Sequence, residues 1–282
     1  IYMDGVIVID KEKDMTSHDV VAKLRHTFGT KKIGHTGTLD PIATGVLVVC
    51  VGQGTKLVQY LTCDDKIYDV EMKFGEKTDT GDRTGKVIET GKNKVNKSKL
   101  NWTMNTIIGK QKQLPPMYSA IKVNGKKLYE YAREGKYVHR EPRDIEVFSV
   151  ENVEYDGGDT LKFRIHCSKG TYIRTICETI AYRCNTVGTM MELRRIKAGM
   201  FSIDQAVKLE EASDAGIITI DKLFDQEVSI KKDAFFKISN GMPLYFNKPD
   251  GLYKIYVDNY VTKKFVGIGK LKERFLYREI IL

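Results

Sequence analysis

The chain has 282 residues, with 46 Lys and Arg against 37 Asp and Glu, a formal net charge of +9 at pH 7, 41% hydrophobic residues and only 6 Pro. That balance is globular, with room for two domains, and it excludes disordered and collagen-like chains. The longest apolar run, Val46 to Val51, is too short to span a bilayer, and no basic stretch followed by an apolar core marks a secretion signal, so no membrane association is expected. Met3 reads as the native start. The five cysteines (Cys50, Cys63, Cys167, Cys177, Cys184) form no CxxC or zinc-type spacing and read as small buried hydrophobes of a reduced, cytoplasmic protein.

Val6 to Ile9 reads as a buried strand. Thr16 with Asp19 is a capping-box pattern opening a helix whose stripe is Val20, Val21, Leu24 and Phe28, with Gly29 as its stop. Residues 30–45 look irregular, Val46 to Val51 is a second buried strand, and Thr55 to Leu61 reads as a helix. Tyr68, Val70, Met72 and Phe74 alternate with Ile67, Asp69, Glu71 and Lys73, which predicts a half-buried strand. A turn-rich loop spans Gly75 to Gly85, and Leu100, Met104, Ile107 and Ile108 mark a helix closed by Gly109. Leu161, Phe163, Ile165 and Cys167 alternate as another strand, and Ile173, Ile176, Cys177, Ile180, Ala181 and Cys184 form a helical stripe after Gly170. Residues 204–228 read as an acidic, helical connector, followed by a small β domain at 229–282. Strands and helices mix without βαβ alternation, which predicts an α+β fold.

The positive charge is concentrated. Residues 110–143 hold nine Lys and Arg against three Glu, interleaved with Tyr118, Tyr129, Tyr131 and Tyr137, and residues 229–282 hold eleven basic residues against five acidic ones. Basic segments with aromatic faces suit a polyanion with accessible bases, although a solvated lysine-rich surface fits the charge alone. Asp79-Thr80-Gly81 imitates an aspartic-protease triplet but has no second copy, so it reads as a turn. Gly52-Gln53-Gly54-Thr55-Lys56 lacks phosphate-loop spacing, and the five histidines lack metal-site spacing, so no metal and no cofactor are expected.

The stretch from Gly34 to Leu47, with His35 and Asp40 on a Gly-rich loop ahead of a buried strand, places a carboxylate where backbone can approach a ligand. On physics alone Asp40 could equally cap a turn. The segment closely resembles the signature of the TruB family of pseudouridine synthases. Further blocks match in order: Lys66 to Val70, Met117 to Lys122, Gly125 to Arg133, His166 to Thr175 and Met191 to Arg195. The resemblance covers residues 5 to about 200. One departure lies at Asp10-Lys11-Glu12-Lys13-Asp14, where the family usually has Asp-Lys-Pro-x-Gly.

The resemblance implies a pseudouridine-synthase fold, with a central mixed, largely antiparallel sheet flanked by helices. It implies a catalytic domain over 1–228, a thumb-like insertion at about 110–145 and a PUA-like RNA-binding domain over 229–282. The implied reaction isomerises a uridine in the tRNA T-loop, in a monomer without an obligatory protein partner. Asp40 would be the catalytic carboxylate, ionised at pH 7 and paired with Arg174. Tyr68 would pack on the base, Leu193 would wall the pocket, and His35 would fill the vacated stack. RNA contacts would come from Lys11, Tyr118, Lys122, Lys126, Lys127, Arg133 and Lys169. Whether Asp40 attacks C1′ or removes the C2′ proton stays open, as do a non-catalytic RNA-binding module and a guide-RNA-dependent synthase subunit.

Overall fold

The computed structural model describes residues 4–62, 65–258 and 262–282; Met3 and Cys63 lie outside the described residues. The elements run β1 (Gly5–Lys11), α1 (Ser17–Thr27), β2 (Ile33–His35), β3 (Thr44–Val51), α2 (Val58–Leu61), β4 (Lys66–Phe74), β5 (Glu76–Thr78) and β6 (Val87–Thr90). Then come α3 (Lys97–Thr106), β7 (Gly109–Gln113), β8 (Lys122–Val123), β9 (Lys126–Lys127), α4 (Leu128–Arg133), β10 (Arg143–Glu154), β11 (Thr160–Cys167), α5 (Ile173–Arg183) and β12 (Gly188–Ala198). The remainder is β13 (Phe201–Ser202), β14 (Ile218–Thr219), β15 (Glu227–Ile230), α6 (Lys232–Ser239), β16 (Leu244–Tyr245), β17 (Gly251–Asp258), β18 (Lys263–Lys272) and β19 (Phe275–Ile281).

One ten-stranded sheet runs β14-β1-β3-β12-β4-β11-β10-β7, with β2 on β3 and β13 on β12. Among the described residues β3–β12 is the one parallel strand pair of this sheet, beside two isolated parallel bridges, so the sheet is mixed and largely antiparallel, and the α+β expectation holds. The continuous apolar runs of β1 and β3 are explained by burial on both faces. Ile7, Ile9, Leu47 and Val49 face the main core with residues of α1 and α5, whereas Val6, Val8, Val46, Val48 and Cys50 pack with Ile268 and Ile280 of the C-terminal strands. On β4 the expected alternation is present, with Tyr68, Val70, Met72 and Phe74 buried. The capping box opens α1 as expected, Thr16 accepting from the Asp19 amide at 3.0 Å.

Several elements differ from the sequence expectation: β2 falls in the stretch expected to be irregular and β5 in the expected turn-rich loop, and three more differ as follows. The helix expected over 55–61 is a 3-10 helix, Gly52–Leu57, that turns into the short α2. Ile108 falls outside α3, because Gly109 takes a φ of 111° and redirects the chain into β7. The connector is a series of 3-10 turns rather than a helix. Val207 exchanges main-chain hydrogen bonds with Asp10 and Val8 at 2.9 and 3.0 Å, and Ile218 and Thr219 pair with β1. Pairing along the open sheet edge overrides local helical preference there.

Between β7 and β10 the chain leaves the sheet as a β8–β9 hairpin and α4. The hairpin turns at Asn124 and Gly125, both with positive φ. A second sheet, β15-β17-β18-β19-β16, starts at Glu227 and closes over Val228, Ile230, Ile255, Leu271 and Leu276 with Ile238 of α6. Cys50, Cys167, Cys177 and Cys184 are free and buried, and burial pushes Cys50 and Cys167 up to about 12. Among the described residues no helix is long and apolar enough to cross a membrane.

Candidate active site

Asp40 is held by a loop with tethers on every side. The Leu39 amide donates to the Ser17 hydroxyl at 2.9 Å, the Thr36 amide to the Val48 carbonyl at 3.1 Å, and the Ala43 amide to the Asp40 carbonyl at 3.0 Å. The Pro41 carbonyl accepts from the Asp14 amide at 2.9 Å and from the Lys11 ammonium at 3.2 Å. Asp14 stands where the family has Gly and takes a left-handed φ of 63°, so the turn survives the departure in sequence. Where the loop re-enters the sheet, Gly45 has a φ of 97°, and a Cβ there would lie 2.2 Å from the Arg195 carbonyl. Only glycine lets β3 approach β12 so closely.

Arg174 enters from the first turn of α5 and meets Asp40 with one hydrogen bond, Nη2 to Oδ1 at 3.1 Å, and an ion-pair contact, Nε to Oδ2 at 2.9 Å. Its remaining donors reach the Thr80 carbonyl at 2.9 Å and the Tyr118 carbonyl at 2.8 Å. One buried guanidinium therefore joins the Asp40 loop, the 79–85 loop and the base of the excursion. The i,i+4 pairing with Glu178 that the helix would allow is not formed; Glu178 faces Lys77 at 3.8 Å. Buried Gln113 locks the start of α5, accepting from the Tyr172 amide at 2.7 Å and donating to the Tyr172 carbonyl at 3.1 Å.

Burial pushes the Asp40 carboxyl above the usual carboxylate range; Arg174 and Lys11 oppose that rise and Asp82 adds to it. Asp79 to Gly85 is turn chemistry, as read from the sequence. Asp82 accepts from the Thr84 amide at 2.9 Å and the Thr80 hydroxyl at 3.0 Å.

Asp40 opens into a cleft of about 510 Å³ whose lining includes Tyr68, Tyr172, Arg174, Leu193, Arg195 and Lys169. Tyr68 and Arg195 are register partners across β4 and β12, and Leu193 lies two residues before Arg195 on the same face. Burial raises the Tyr68 phenol, which Arg195 partly offsets through a hydrogen bond. Arg195 is buried, with Nε donating to the Val46 carbonyl at 2.7 Å and Nη2 to the Gly37 carbonyl at 3.0 Å. His35 is half-buried at the end of β2, burial lowers its pKa, and its Nδ1 is buried without a partner.

Lys11 needs correction as an RNA contact. It is fully buried, and its ammonium donates to the carbonyls of Glu12 and Met15 at 2.7 Å each as well as to that of Pro41. Lys169 is exposed at the mouth of the cleft, and Lys122 and Arg133 are exposed on the excursion. Lys126 is paired with Glu134 and sits over the Tyr131 ring, and Lys127 and Arg133 sit over the Tyr129 ring. Tyr118 contributes its carbonyl to Arg174. Gln113 was not singled out by sequence; Thr80 was named there only within the turn triplet and Arg195 only as the end of the last family block.

A solved H/ACA RNP bound to a substrate RNA containing 2′-deoxyuridine matches with a TM-score of 0.68 and 23% identity, over 98% of this chain and 84% of that one. A Cbf5-Nop10-Gar1 complex matches at 0.71 with 25% identity and the same coverage. The fold is accordingly that of the pseudouridine synthases. The TruB family pseudouridylate synthase (N terminal domain) model matches residues 25–173, and the tRNA pseudouridylate synthase B C-terminal domain model matches 174–231. A tRNA pseudouridine synthase B of Clostridium perfringens is 40% identical over 294 residues, covering 99% of each chain. One from Caldanaerobacter subterraneus is 41% identical over 273 residues, covering 95% of each. The chain belongs to the TruB family of pseudouridine synthases.

Proposed function

We propose that this chain converts a uridine in the T-loop of tRNA to pseudouridine, with Asp40 as the carboxylate that reacts at the sugar. The observation that carries the reading is the two-pronged Asp40–Arg174 pair at the edge of a cleft walled by Tyr68 and Leu193. Such a pair fixes the carboxylate plane and favours its charged form against burial. Relatives named tRNA pseudouridine synthase B, matched over nearly their whole length, support tRNA as substrate and a cytoplasmic place of action.

The uridine N1–C1′ bond breaks, the freed base turns within the cleft, and C5 bonds to C1′ before losing its proton. Asp40 serves either by attacking C1′ or by removing the C2′ proton. Tyr68 packs on the base, and its raised phenol pKa favours a stacking role over a resting phenolate. Leu193 supplies the apolar wall. Uridine must leave the loop stack at a cost of a few kcal/mol, and the neutral ring of His35 fills the gap with stacking of about 1–3 kcal/mol.

Residues 1–228 carry the reaction, the excursion closes over the T-arm with Lys122 and Arg133, Lys169 steers phosphate at the cleft mouth, and the C-terminal domain grips RNA. A single chain suffices. The test incubates the protein alone with a T-arm minihelix containing C5-tritiated uridine. Tritium release without added protein or guide RNA is expected, and no release would refute the reading.

A further inference from the structure

The isomerisation moves a negative charge across the cleft. When the N1–C1′ bond breaks, its electron pair leaves with the base, and uracil becomes an anion. Asp40 loses its own charge in the same step, either as an ester at C1′ or as the acid that took the C2′ proton. Both routes therefore end with the charge on the base. Arg174 meets that charge where it starts, 3.1 Å from the Asp40 carboxylate. Tyr68, Leu193 and the neutral His35, the groups around the base, bring no cation to where it arrives.

Arg195 does. It is only 2% exposed, yet it lines the cleft with Asp40, Tyr68 and Leu193. Other arginines of this sheet are paired, Arg194 with Asp10 at 2.9 Å and Arg164 with Asp69 at 2.6 Å. Among the described residues no carboxylate pairs with Arg195. Its Nε and Nη2 donate instead to the Val46 and Gly37 carbonyls, at 2.7 and 3.0 Å, and a further hydrogen bond joins it to the Tyr68 phenol. A buried cation without a counter-ion weakens a fold, and folds keep such a departure where function needs it. The charge is felt around the cleft: after burial, Arg195 is the largest influence lowering the His35 pKa.

Its place suits a moving anion. Tyr68 and Arg195 are register partners across β4 and β12, so the guanidinium is fixed beside the ring on which the base packs. The freed base must turn before C5 reaches C1′. A hydrogen bond to one edge of uracil would be lost in that turn, whereas a fixed charge at the rim of the stacking ring acts on every orientation. A dry cleft strengthens it.

We propose that Arg195 is the electrostatic partner of the departing uracil: anchored by the Gly37 and Val46 carbonyls and acting through the Tyr68 phenol, it stabilises the anion while the base turns. Arg174 serves the charge at its origin and Arg195 at its destination. Because it acts through Tyr68, Arg195 is a positioning residue. The role presupposes the isomerisation proposed above but neither of its two routes.

The test varies the leaving base. Fluorine at C5 withdraws electrons and makes the departing uracil a weaker base, so a T-arm minihelix with 5-fluorouridine at the target needs less help from the protein. Breakage of the N1–C1′ bond is followed in single turnover with the full chain at saturation, by digesting the RNA and measuring the parent nucleoside that remains. Arg195→Gln removes the charge and keeps an amide donor for one carbonyl. It should slow the uridine substrate by about a hundredfold and the fluorouridine substrate several-fold less. Equal losses on the two bases would overturn the proposal and leave Arg195 as a brace for the Gly37 loop. Far-ultraviolet circular dichroism of the variant must match that of the parent. If Arg195→Gln does not fold, Tyr68→Phe decides, since it cuts the link between the guanidinium and the base without opening a void. Its loss on uridine should again exceed its loss on fluorouridine, and equal losses would refute the role. A parent that leaves both nucleosides intact would refute the isomerisation itself, and this role with it; equal losses with an active parent refute the role alone.

Discussion

Asp40 sits between opposing influences: a dry cleft that favours the neutral acid, and the Arg174 guanidinium that favours the anion. Its carboxyl should titrate above the ordinary 3.8, and Arg174→Gln should move it higher still. Carboxyl carbon NMR on labelled aspartate, assigned by difference from Asp40→Asn, reads both values; a midpoint at or below 3.8 in the parent would contradict the burial argument. Lys11 behaves in the reverse sense. Burial lowers it from 10.5 to about 8, so between those values the unfolded chain binds more protons and stability rises with pH. The stability of the parent relative to Lys11→Met, measured by urea unfolding, should climb from pH 8 to 10.5; a flat difference would contradict it. The family resemblance made Lys11 look like an RNA contact. Lysine is rarely fully buried, and the three carbonyls that satisfy it come from loops whose geometry no periodicity encodes.

Elements whose apolar pattern repeats were legible, including β1, β3, β4, β11, α1 and α5, because burial on one or two faces writes a period into the chain. The connector over 204–228 was not, since its conformation is set by the free edge of β1 rather than by its own composition. Asp40, Tyr68, Leu193 and Arg174 are brought to one cleft, yet their legibility came from the family blocks. Spacing alone left Asp40 as a turn cap. The props were hidden because Gln113 and Arg195 act on backbone groups remote in sequence. Gln113→Ala removes both hydrogen bonds to Tyr172 at the start of α5, and a loss of about 1–3 kcal/mol is expected in chemical denaturation. An unchanged midpoint would mean that the helix start is fixed by packing alone.

At the scale of the whole molecule, the two sheets share a core: Val6, Val8, Val46 and Val48 of the first meet Ile268 and Ile280 of the second. Charge segregation pointed to a separate RNA-gripping tail, but one-dimensional patterning could not reveal that β1 and β3 have a second face to bury. A common core couples the stabilities of both parts, so Ile280→Ala should cost about 2–5 kcal/mol and lower the unfolding of the entire chain. Calorimetry should show one transition moving downward; two independent transitions, with only the smaller displaced, would contradict the shared core.

The central claim concerns a single carboxylate, and the most direct measurement is tritium release from a C5-tritiated T-arm minihelix by Asp40→Asn at saturating RNA. The amide keeps the size of the side chain and cannot supply the anion, so release should vanish while RNA affinity stays near that of the parent. Release at the parental rate would remove Asp40 from the reaction and leave the cleft as a binding surface.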